Sequence, residues 1–328
     1  MFMAMDTGNL MVLAKEALSN EDAAVALMTK LRWPNGVACP KCGGADPYKL
    51  TPKAQPGRPA RKGLYKCSQC KKQFSVTTGS VFEASHLPLS KWLMAIHLMS
   101  ASKKGLSAHQ LHRMLGTTYR AAWFMNHRLR YAMASNAGLF QKLSGTVEAD
   151  ETYIGGKRRA GRYGYEGKGG RPAPHDQTKT AVVALVERKG RAVAFTVANV
   201  TGKTLQGVIR KHVHLNSHMM TDELHAYGGL VNGFAAHDTI RHSDGVYAKG
   251  NIHTNTVEGF FALLKRGIVG SFHHVSKAHL HRYCEEFAFR YSNRQAMGVN
   301  DGMRAARIIL GAEGKRLTYQ TSTGNRAA

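Results

Sequence analysis

Apolar residues recur at helical spacing near the start of the chain, where Ala24, Leu27, Met28 and Leu31 would share one helix face. The polar run Ser19–Asp22 just before them is typical of a helix cap. From about Trp33 to Phe82 the helical period is lost, and Gly, Pro and Cys interrupt the chain repeatedly. We therefore predict one amphipathic helix followed by a small module without helices.

Helical periodicity returns at Ser90, where Trp92, Leu93, Ile96 and Met99 would line one face. Ser107 and Gln110 have the spacing of a capping box, which predicts that a helix begins there. Gly116 interrupts this helix and a second one starts at Thr117. Two helices joined by a tight glycine turn are typical of a helix-turn-helix, although many helical hairpins share the pattern.

After Gly145 the pattern becomes that of strands alternating with helices. The predicted strands are 146–150, 180–187, 191–197, 218–221 and 240–243, with a helix at 203–212 and long helices from about Thr254 and Ser276. Three strands, a helix, a strand, a helix, a strand and then helices is the order expected of an RNase H-like α/β domain. We predict a mixed sheet flanked by helices.

These patterns divide the chain into five segments. The predicted limits are 1–32 for an amino-terminal helical segment, 33–84 for a cysteine-containing module, 85–140 for the helix-turn-helix-like region, 141–300 for the α/β domain and 301–328 for a carboxyl-terminal tail.

The charge of the chain indicates what kind of partner it binds. The 328 residues include 46 Lys and Arg against 21 Asp and Glu, a formal net charge of +25. Such an excess favours a polyanion, above all nucleic acid, as partner. By itself it would also suit a ribosomal or chromatin-type basic protein. The sequence shows no apolar run of membrane-spanning length and no secretory signal in its first 16 residues, so we expect a cytoplasmic protein without a membrane partner, associated with the bacterial nucleoid.

Four of the five cysteines form two CxxC pairs, Cys39 with Cys42 and Cys67 with Cys70. Each pair places two thiolates on one tight turn, and four thiolates complete the tetrahedron that a structural Zn²⁺ prefers. The spacing predicts a zinc ribbon whose closed site is structural. A redox dithiol is the weaker alternative. The fifth cysteine, Cys284, lies alone in a helical pattern and is expected to be a buried apolar residue.

Acidic residues are scarce in this chain, which makes those at strand ends conspicuous. Asp150 and Asp222 each end a predicted strand, the position where α/β folds place ligand groups. Strand alternation predicts Glu148 and Asp150 on one face and Glu151 on the other. Converging carboxylates are the ligands that hard divalent cations such as Mg²⁺ prefer.

The helix predicted from about Thr254 carries a third candidate group. Asn255, Glu258, Ala262 and Lys265 follow one another at steps of three or four residues and would share a face. This polar edge beside a run of apolar residues fits a helix that borders an active site. Ordinary solvated polar residues would give the same pattern.

Four segments resemble the ISXO2-like transposases of the IS1595 family of bacterial insertion sequences. They are Glu148–Lys157, Thr221–Glu223, and His253–Arg266 with Gly270–Val275. The CPKC and CSQC pairs and the helices after them resemble the amino-terminal region of the same family, so the resemblance extends from about Trp33 to Asn293. It implies an RNase H-like DDE catalytic domain, Mg²⁺ or Mn²⁺ as cofactor, and terminal inverted repeats as substrate.

On this resemblance Asp150 and Asp222 match the first two catalytic acids. The third is open. Family members are often described with an asparagine in that role, which would be Asn255, whereas the spacing from Asp222 and the basic Lys265 match the DDE pattern at Glu258. We favour Glu258, because a carboxylate neutralises a divalent ion better than an amide does.

Basic residues in three places are expected to contact DNA. The first group, Arg120, Arg128 and Arg130, lies on the second helix of the helix-turn-helix. The second lies in a glycine-rich loop with Lys157, Arg158 and Arg159, which a disordered linker would also explain. The third is Lys265 with Arg266. Contacts of this kind give salt-dependent affinity.

We therefore expect a transposase that binds transposon ends as a homo-oligomer and catalyses metal-dependent cleavage and strand transfer. The alternatives are a zinc-ribbon DNA-binding regulator or an inactive transposase, and an RNase H-like nuclease that cuts without joining. The motif His212-Val213-His214, if extended, leaves open an endonuclease that uses two histidines and a tyrosine nucleophile. The similar motif His279-Leu280-His281 lies in a helical pattern, where residues two apart do not converge.

Overall fold

The computed structural model describes residues 16–51, 53, 56, 62–134, 142–155, 179–245 and 248–318. Their contacts divide the chain into two compact units. One comprises residues 1–135 together with 299–328, and the other comprises residues 136–298.

The first unit begins with helix α1, Glu21–Arg32, whose first turn is capped by the side chain of Asn20 as the polar run predicted. Three short antiparallel strands follow in the order β1-β2-β3: β1 is Tyr48–Leu50, β2 is Leu64–Lys66 and β3 is Gln73–Ser75. Their buried core is small and consists of Cys39, Tyr65, Cys67 and Phe74. A module with so little apolar surface depends on a further source of stability.

Three helices come next, α2 at Leu89–Ala101, α3 at Ala108–Leu115 and α4 at Tyr119–Met133. The side chain of Ser107 accepts a hydrogen bond from the Gln110 backbone N–H, so the predicted start of α3 is confirmed. Gly116 ends α3 in the left-handed region, at φ 57°, where a side chain would be strained. The hairpin predicted around this glycine is therefore present.

The second unit is built on a five-stranded mixed sheet in the order β6-β5-β4-β7-β8. Its elements in chain order are β4 at Thr146–Gly155, β5 at Lys179–Glu187, β6 at Ala192–Val197, α5 at Gly202–His212, β7 at His218–Asp222, a 3-10 helix at His225–Leu230 and β8 at Ala236–Ile240. β4 pairs antiparallel with β5 and parallel with β7. Helices α6, Asn255–Gly267, and α7, Leu280–Ser292, complete the unit. The predicted RNase H-like α/β fold, a mixed sheet flanked by helices, is confirmed.

Side chains from alternate positions of the central strands supply two separate cores. Val182, Ala184 and Val186 pack against α6 and α7, whereas Val183 and Leu185 pack against α5 and the 3-10 helix. Strands buried on both faces lose the polar–apolar alternation, which is why β5 is almost continuously hydrophobic. Cys284 is wholly buried in the first of these cores, as expected.

Three predicted boundaries were wrong. β4 continues to Gly155, five residues beyond the predicted end, so Asp150 lies within the strand and not at its end. The last strand is Ala236–Ile240 and not 240–243, because β8 carries His237 and Asp238 and its polar positions hide the strand period. α7 begins at Leu280, four residues after the predicted start at Ser276.

Helix α8, Asp301–Gly311, lies in the segment that the sequence suggested as a tail. Asn300 caps it by accepting from the Met303 N–H, and Ile308 and Ile309 are buried. Lys315 beyond it donates to the carbonyl oxygens of Tyr131 and Ala134, so this end of the chain belongs to the first unit. The predicted segment limits themselves stay predictions. Among the described residues no helix is long and apolar enough to cross a membrane.

Candidate metal centres and active site

The four CxxC cysteines converge in the ribbon. The Sγ atoms of Cys39 and Cys70 lie 3.7 Å apart and those of Cys42 and Cys67 lie 3.6 Å apart, and all four lie within 4.8 Å of one another. A tetrahedral zinc ion with Zn–S bonds of about 2.3 Å requires sulfur atoms roughly 3.8 Å apart. The spacing of the thiols therefore fits one Zn²⁺.

Electrostatics of the cluster support the same ion. Backbone N–H groups of Cys70 and Gln69 lower the pKa of Cys67 to about 7. At Cys42 the Gly44 N–H acts in the same direction, but hydrogen bonds with the other thiols outweigh it and raise the pKa to about 11. Four thiols this close cannot all ionise without a cation among them, and binding of zinc supplies it.

The acidic residues meet where two parallel strands separate. β4 pairs with β7 only from Thr146 to Glu148, opposite His218 to Met220. Two residues further along each strand, this register places Asp150 level with Asp222. Asp222 is the last residue of β7, as predicted, whereas Asp150 lies within β4 and is still paired with Ala184 of β5. The two aspartates thus lie side by side just beyond the last residues that β4 and β7 pair with each other.

The carboxylates of Asp150, Asp222 and Glu151 lie within 4.8 Å of one another. Glu151 belongs to the opposite face of β4, as alternation predicts, because its Oε2 accepts a 2.6 Å hydrogen bond from the buried Tyr227 hydroxyl. Since β4 has no partner on its β7 side at this point, that carboxylate also reaches the cluster. Strand alternation places Glu151 and Asp150 on opposite faces of β4, and only the open strand edge brings their carboxylates together.

Burial and mutual repulsion raise the pKa values of two carboxyl groups in this cluster. Desolvation raises the pKa of Asp150 to about 7, with further contributions from the charges of Glu151, Asp222 and Glu258, although the Glu151 N–H acts against the rise. Desolvation also raises the pKa of Glu151, with a contribution from Asp222, while the Tyr227 hydrogen bond opposes it. Half-buried carboxylates that repel one another fit a hard divalent cation such as Mg²⁺ or Mn²⁺.

Helix α6 presents its polar edge as predicted. Asn255, Glu258 and Lys265 are all exposed, while Val257, Phe260 and Leu264 between them are buried. Glu258 is close enough to Asp150 to contribute to its raised pKa, and its Oε1 accepts from the Thr254 hydroxyl at 2.9 Å. Glu258 therefore belongs to the electrostatic surroundings of the cluster.

The basic residues expected to contact DNA differ in their surroundings. Arg120, Lys265 and Arg266 are exposed. Arg128 and Arg130 are only 6% and 2% exposed, and Arg128 donates to the carbonyl oxygens of Leu317 and Glu83. This burial argues against a DNA-contacting role for these two, because helical periodicity alone did not show which face of α4 packs inward.

Lys157, Arg158 and Arg159 lie outside the described residues. In the first His-hydrophobic-His motif, His212 ends α5 while Val213 is extended and forms an isolated bridge with Leu143. The second motif lies at the start of α7, which is helical. The His212 ring packs against Phe195, with 4.4 Å between ring centroids. That arrangement does not favour a paired-histidine site.

Known proteins match both parts of the chain. Residues 142–292 match the family model described as the ISXO2-like transposase domain, and residues 19–73 match the one described as a transposase zinc-ribbon domain. An "Uncharacterized protein in transposable element ISH50" of Halobacterium salinarum is 27% identical over 286 residues, which cover 83% of this chain and 90% of that relative.

Among solved structures, "Crystal structure of a pre-cleavage Mos1 transpososome" matches with 12% identity over 66% of this chain and 74% of that one. Its TM-score is 0.26, too low to carry weight. Both family models describe domains of transposases, and together their matches cover more than half of the residues. The acidic cluster lies inside the first match and the four cysteines inside the second, and the chain therefore belongs to the ISXO2-like transposases that carry an amino-terminal zinc ribbon.

Proposed function

We propose that this protein binds the terminal inverted repeats of a transposon, cleaves the DNA there and joins the freed ends to target DNA, in a metal-dependent reaction. The observation that carries the proposal is the convergence of Asp150, Glu151 and Asp222 within 4.8 Å at the point where β4 and β7 stop pairing. In the proposal Asp150, Asp222 and Glu258 hold the catalytic ions, with Glu151 beside them.

When bound, a pair of Mg²⁺ or Mn²⁺ ions would activate the attacking oxygen and stabilise the leaving one. In cleavage, water attacks the phosphorus atom, the P–O3′ bond breaks and a free 3′-OH is released. In joining, that 3′-OH attacks a target phosphate and displaces the target's own 3′ oxygen. Both displacements are in line and neither forms a covalent bond to the protein.

In this scheme the chain's acidic residues hold the metal ions, and its basic residues bind and neutralise DNA phosphates. Because burial raises the pKa of Asp150 to about 7, positive charge nearby would favour its ionised form. Exposed Lys265 and Arg266 on α6, and Arg120 on α4, are proposed to hold DNA phosphates. The loop residues Lys157, Arg158 and Arg159 and the third-acid alternative Asn255 stay part of the proposal.

Cleavage and joining must occur at two ends together, so we propose that the protein acts as a homo-oligomer on DNA, in the cytoplasm. The net charge of +25 supports strong, salt-dependent binding to the substrate.

The decisive experiment uses oligonucleotides that carry the inverted repeats flanking the coding region. With Mg²⁺ or Mn²⁺, the wild-type chain should nick these ends and join them to a plasmid. Asp150→Ala and Asp222→Ala should each lower the rate at least about 10³-fold, because several kcal/mol of charge stabilisation are lost. Binding to the repeats, measured by fluorescence anisotropy, should be retained.

Glu223→Gln is the matched control. Glu223 is adjacent to Asp222 but exposed, and it accepts hydrogen bonds from the backbone and side chain of Ser243. Its replacement removes one negative charge without touching the cluster, so activity should stay near wild type. Tight binding of the repeats without any metal-dependent cleavage would contradict the proposal and support a DNA-binding regulator instead.

A further inference from the structure

Glu148 is an acidic residue that the proposed chemistry does not use, although it lies two positions before Asp150 on β4. Its side chain is wholly buried, at 0% exposure. A buried carboxylate is costly unless every oxygen is paired. What surrounds Glu148 therefore indicates what it does.

Both oxygens of Glu148 are saturated, mostly by the start of helix α6. Oε2 accepts from the backbone N–H groups of Thr256 at 2.7 Å and Val257 at 3.0 Å. Oε1 accepts from the Thr256 hydroxyl at 2.8 Å and from Arg188 Nε at 2.6 Å. The carboxylate of a β-strand thus caps the helix that carries Asn255 and Glu258.

The helix has no cap from its own sequence. Thr254, at the N-cap position, makes no side-chain capping hydrogen bond. Its hydroxyl donates instead to Glu258 Oε1. Free backbone N–H groups and the positive end of the helix dipole at this terminus would otherwise lack a partner, and Glu148 supplies a negative one.

Arg188 extends the attachment to the segment before the helix. While its Nε pairs with Glu148, its Nη1 donates to the Asn251 carbonyl at 2.7 Å and its Nη2 to the His253 carbonyl at 2.9 Å. One guanidinium therefore joins the strand carboxylate to the backbone that leads into α6.

We propose that Glu148 is a positioning residue that fixes the start of α6 against β4 and thereby holds Glu258 beside Asp150, Glu151 and Asp222. The inference rests on the proposed function, since it assigns Glu258 to the metal-holding set. The distances are short along the chain: Glu148 is two residues from Asp150, and the capped Val257 is one residue from Glu258. Any movement of the cap moves the third acid relative to the first.

The first test is Mn²⁺ affinity, measured by electron paramagnetic resonance on the zinc-loaded full chain without DNA. Glu148→Gln replaces one carboxylate oxygen by an NH₂ group, so either the α6 N–H groups or Arg188 Nε loses its acceptor, and the cap loses its negative charge. We expect the affinity for Mn²⁺ to fall about 10–100-fold, as is usual when a group that orients a ligand is lost. Exchange of the Thr256 and Val257 amide protons should accelerate in the same variant.

A double-mutant cycle separates positioning from general stability. If Glu148 acts through Glu258, then E148Q should cause no further loss of Mn²⁺ affinity in an E258Q background. The matched control is Glu286→Gln, because Glu286 is also 0% exposed but pairs with Arg290 inside α7. This control should lower thermal stability and leave Mn²⁺ affinity unchanged.

The inference is overturned if E148Q lowers Mn²⁺ affinity as much in the E258Q background as in the wild type. It is also overturned if E286Q lowers Mn²⁺ affinity as much as E148Q does, and Glu148 is then a structural residue. If E148Q does not fold, Arg188→Lys provides the same cycle, since lysine cannot bridge the carboxylate and two carbonyls with one fork. Failure of the wild-type chain to cleave DNA, with these Mn²⁺ results intact, would refute the proposed function and not the role of Glu148.

Discussion

The two clusters of metal-binding side chains in this protein are built in opposite ways. The four thiols come from two tight turns, and the core beside them contains few apolar residues. The acidic cluster joins residues from β4 and β7, with Glu258 on α6 nearby, and two large hydrophobic cores support these elements. The ribbon brings its ligands together locally, whereas the acidic site needs the whole sheet.

This difference assigns different tasks to the two metals. In the ribbon, the ion replaces a missing hydrophobic core, so folding and binding are one event. In the acidic site, packing elsewhere forces carboxylates together against their repulsion. We therefore expect this site to form without metal and to lower the stability of the fold, as is common where function requires crowded charge.

The largest expected effect is loss of the ribbon. Cys67→Ala should abolish zinc binding and unfold β1–β3, since binding of structural zinc contributes on the order of 10 kcal/mol. Zinc content by mass spectrometry and amide exchange of residues 64–75 measure this. Cys284→Ala, the change of a cysteine outside the ribbon, should retain one zinc per chain. If the ribbon amides of Cys67→Ala stayed protected from exchange, the ribbon would fold without zinc. The two sites would then not differ in their dependence on metal.

A smaller effect is expected from the acidic cluster in Mg²⁺-free buffer. The pKa of Asp150 is raised from 3.8 to about 7 in the folded state, so the folded state binds more protons than the unfolded state in that interval. The free energy of unfolding should therefore fall as pH rises from about 4 to 7 and then level off.

Asp150→Asn removes this contribution, and its stability relative to wild type should grow over the same interval to on the order of 2–4 kcal/mol. Melting temperatures at pH 5 and pH 8 check it. Glu223→Gln should show a difference from wild type that is independent of pH. If Asp150→Asn were more stable than wild type by the same amount at both pH values, the pKa of Asp150 would not be raised in the folded state.

The smallest effect is stabilisation by the divalent ion itself. Mg²⁺ at ten times its dissociation constant should raise the free energy of unfolding by about 1.4 kcal/mol, because it binds only the folded state. The increase should vanish in Asp222→Asn, while KCl at equal ionic strength should not reproduce it. An equal increase in wild type and Asp222→Asn would place Mg²⁺ elsewhere.

The sequence predicted metal ligands correctly where they lie close together along the chain or where the order of strands brings them together. The CxxC spacing predicted four converging thiols, and two aspartates placed at predicted strand ends were expected to converge. Both expectations were confirmed, although only Asp222 lies at the end of its strand. Both follow from regular backbone geometry, which is readable from alternation and turns. The RNase H-like order of elements was predicted for the same reason.

Several features depended on packing that no local pattern records. The burial of Arg128 and Arg130 depends on which face of α4 meets its neighbours. The strand β8 was misplaced because its polar residues conceal its period.

By itself, then, the sequence determined the fold class, the zinc ribbon and the two aspartates, because these depend on spacing along one chain segment or on strand order. Only the tertiary structure decided that Glu151 joins Asp150 and that Glu148 turns away to cap α6. Three acidic residues within four positions look alike in a sequence. Their separate roles come from where β7 stops pairing with β4 and where a helix from a distant segment begins.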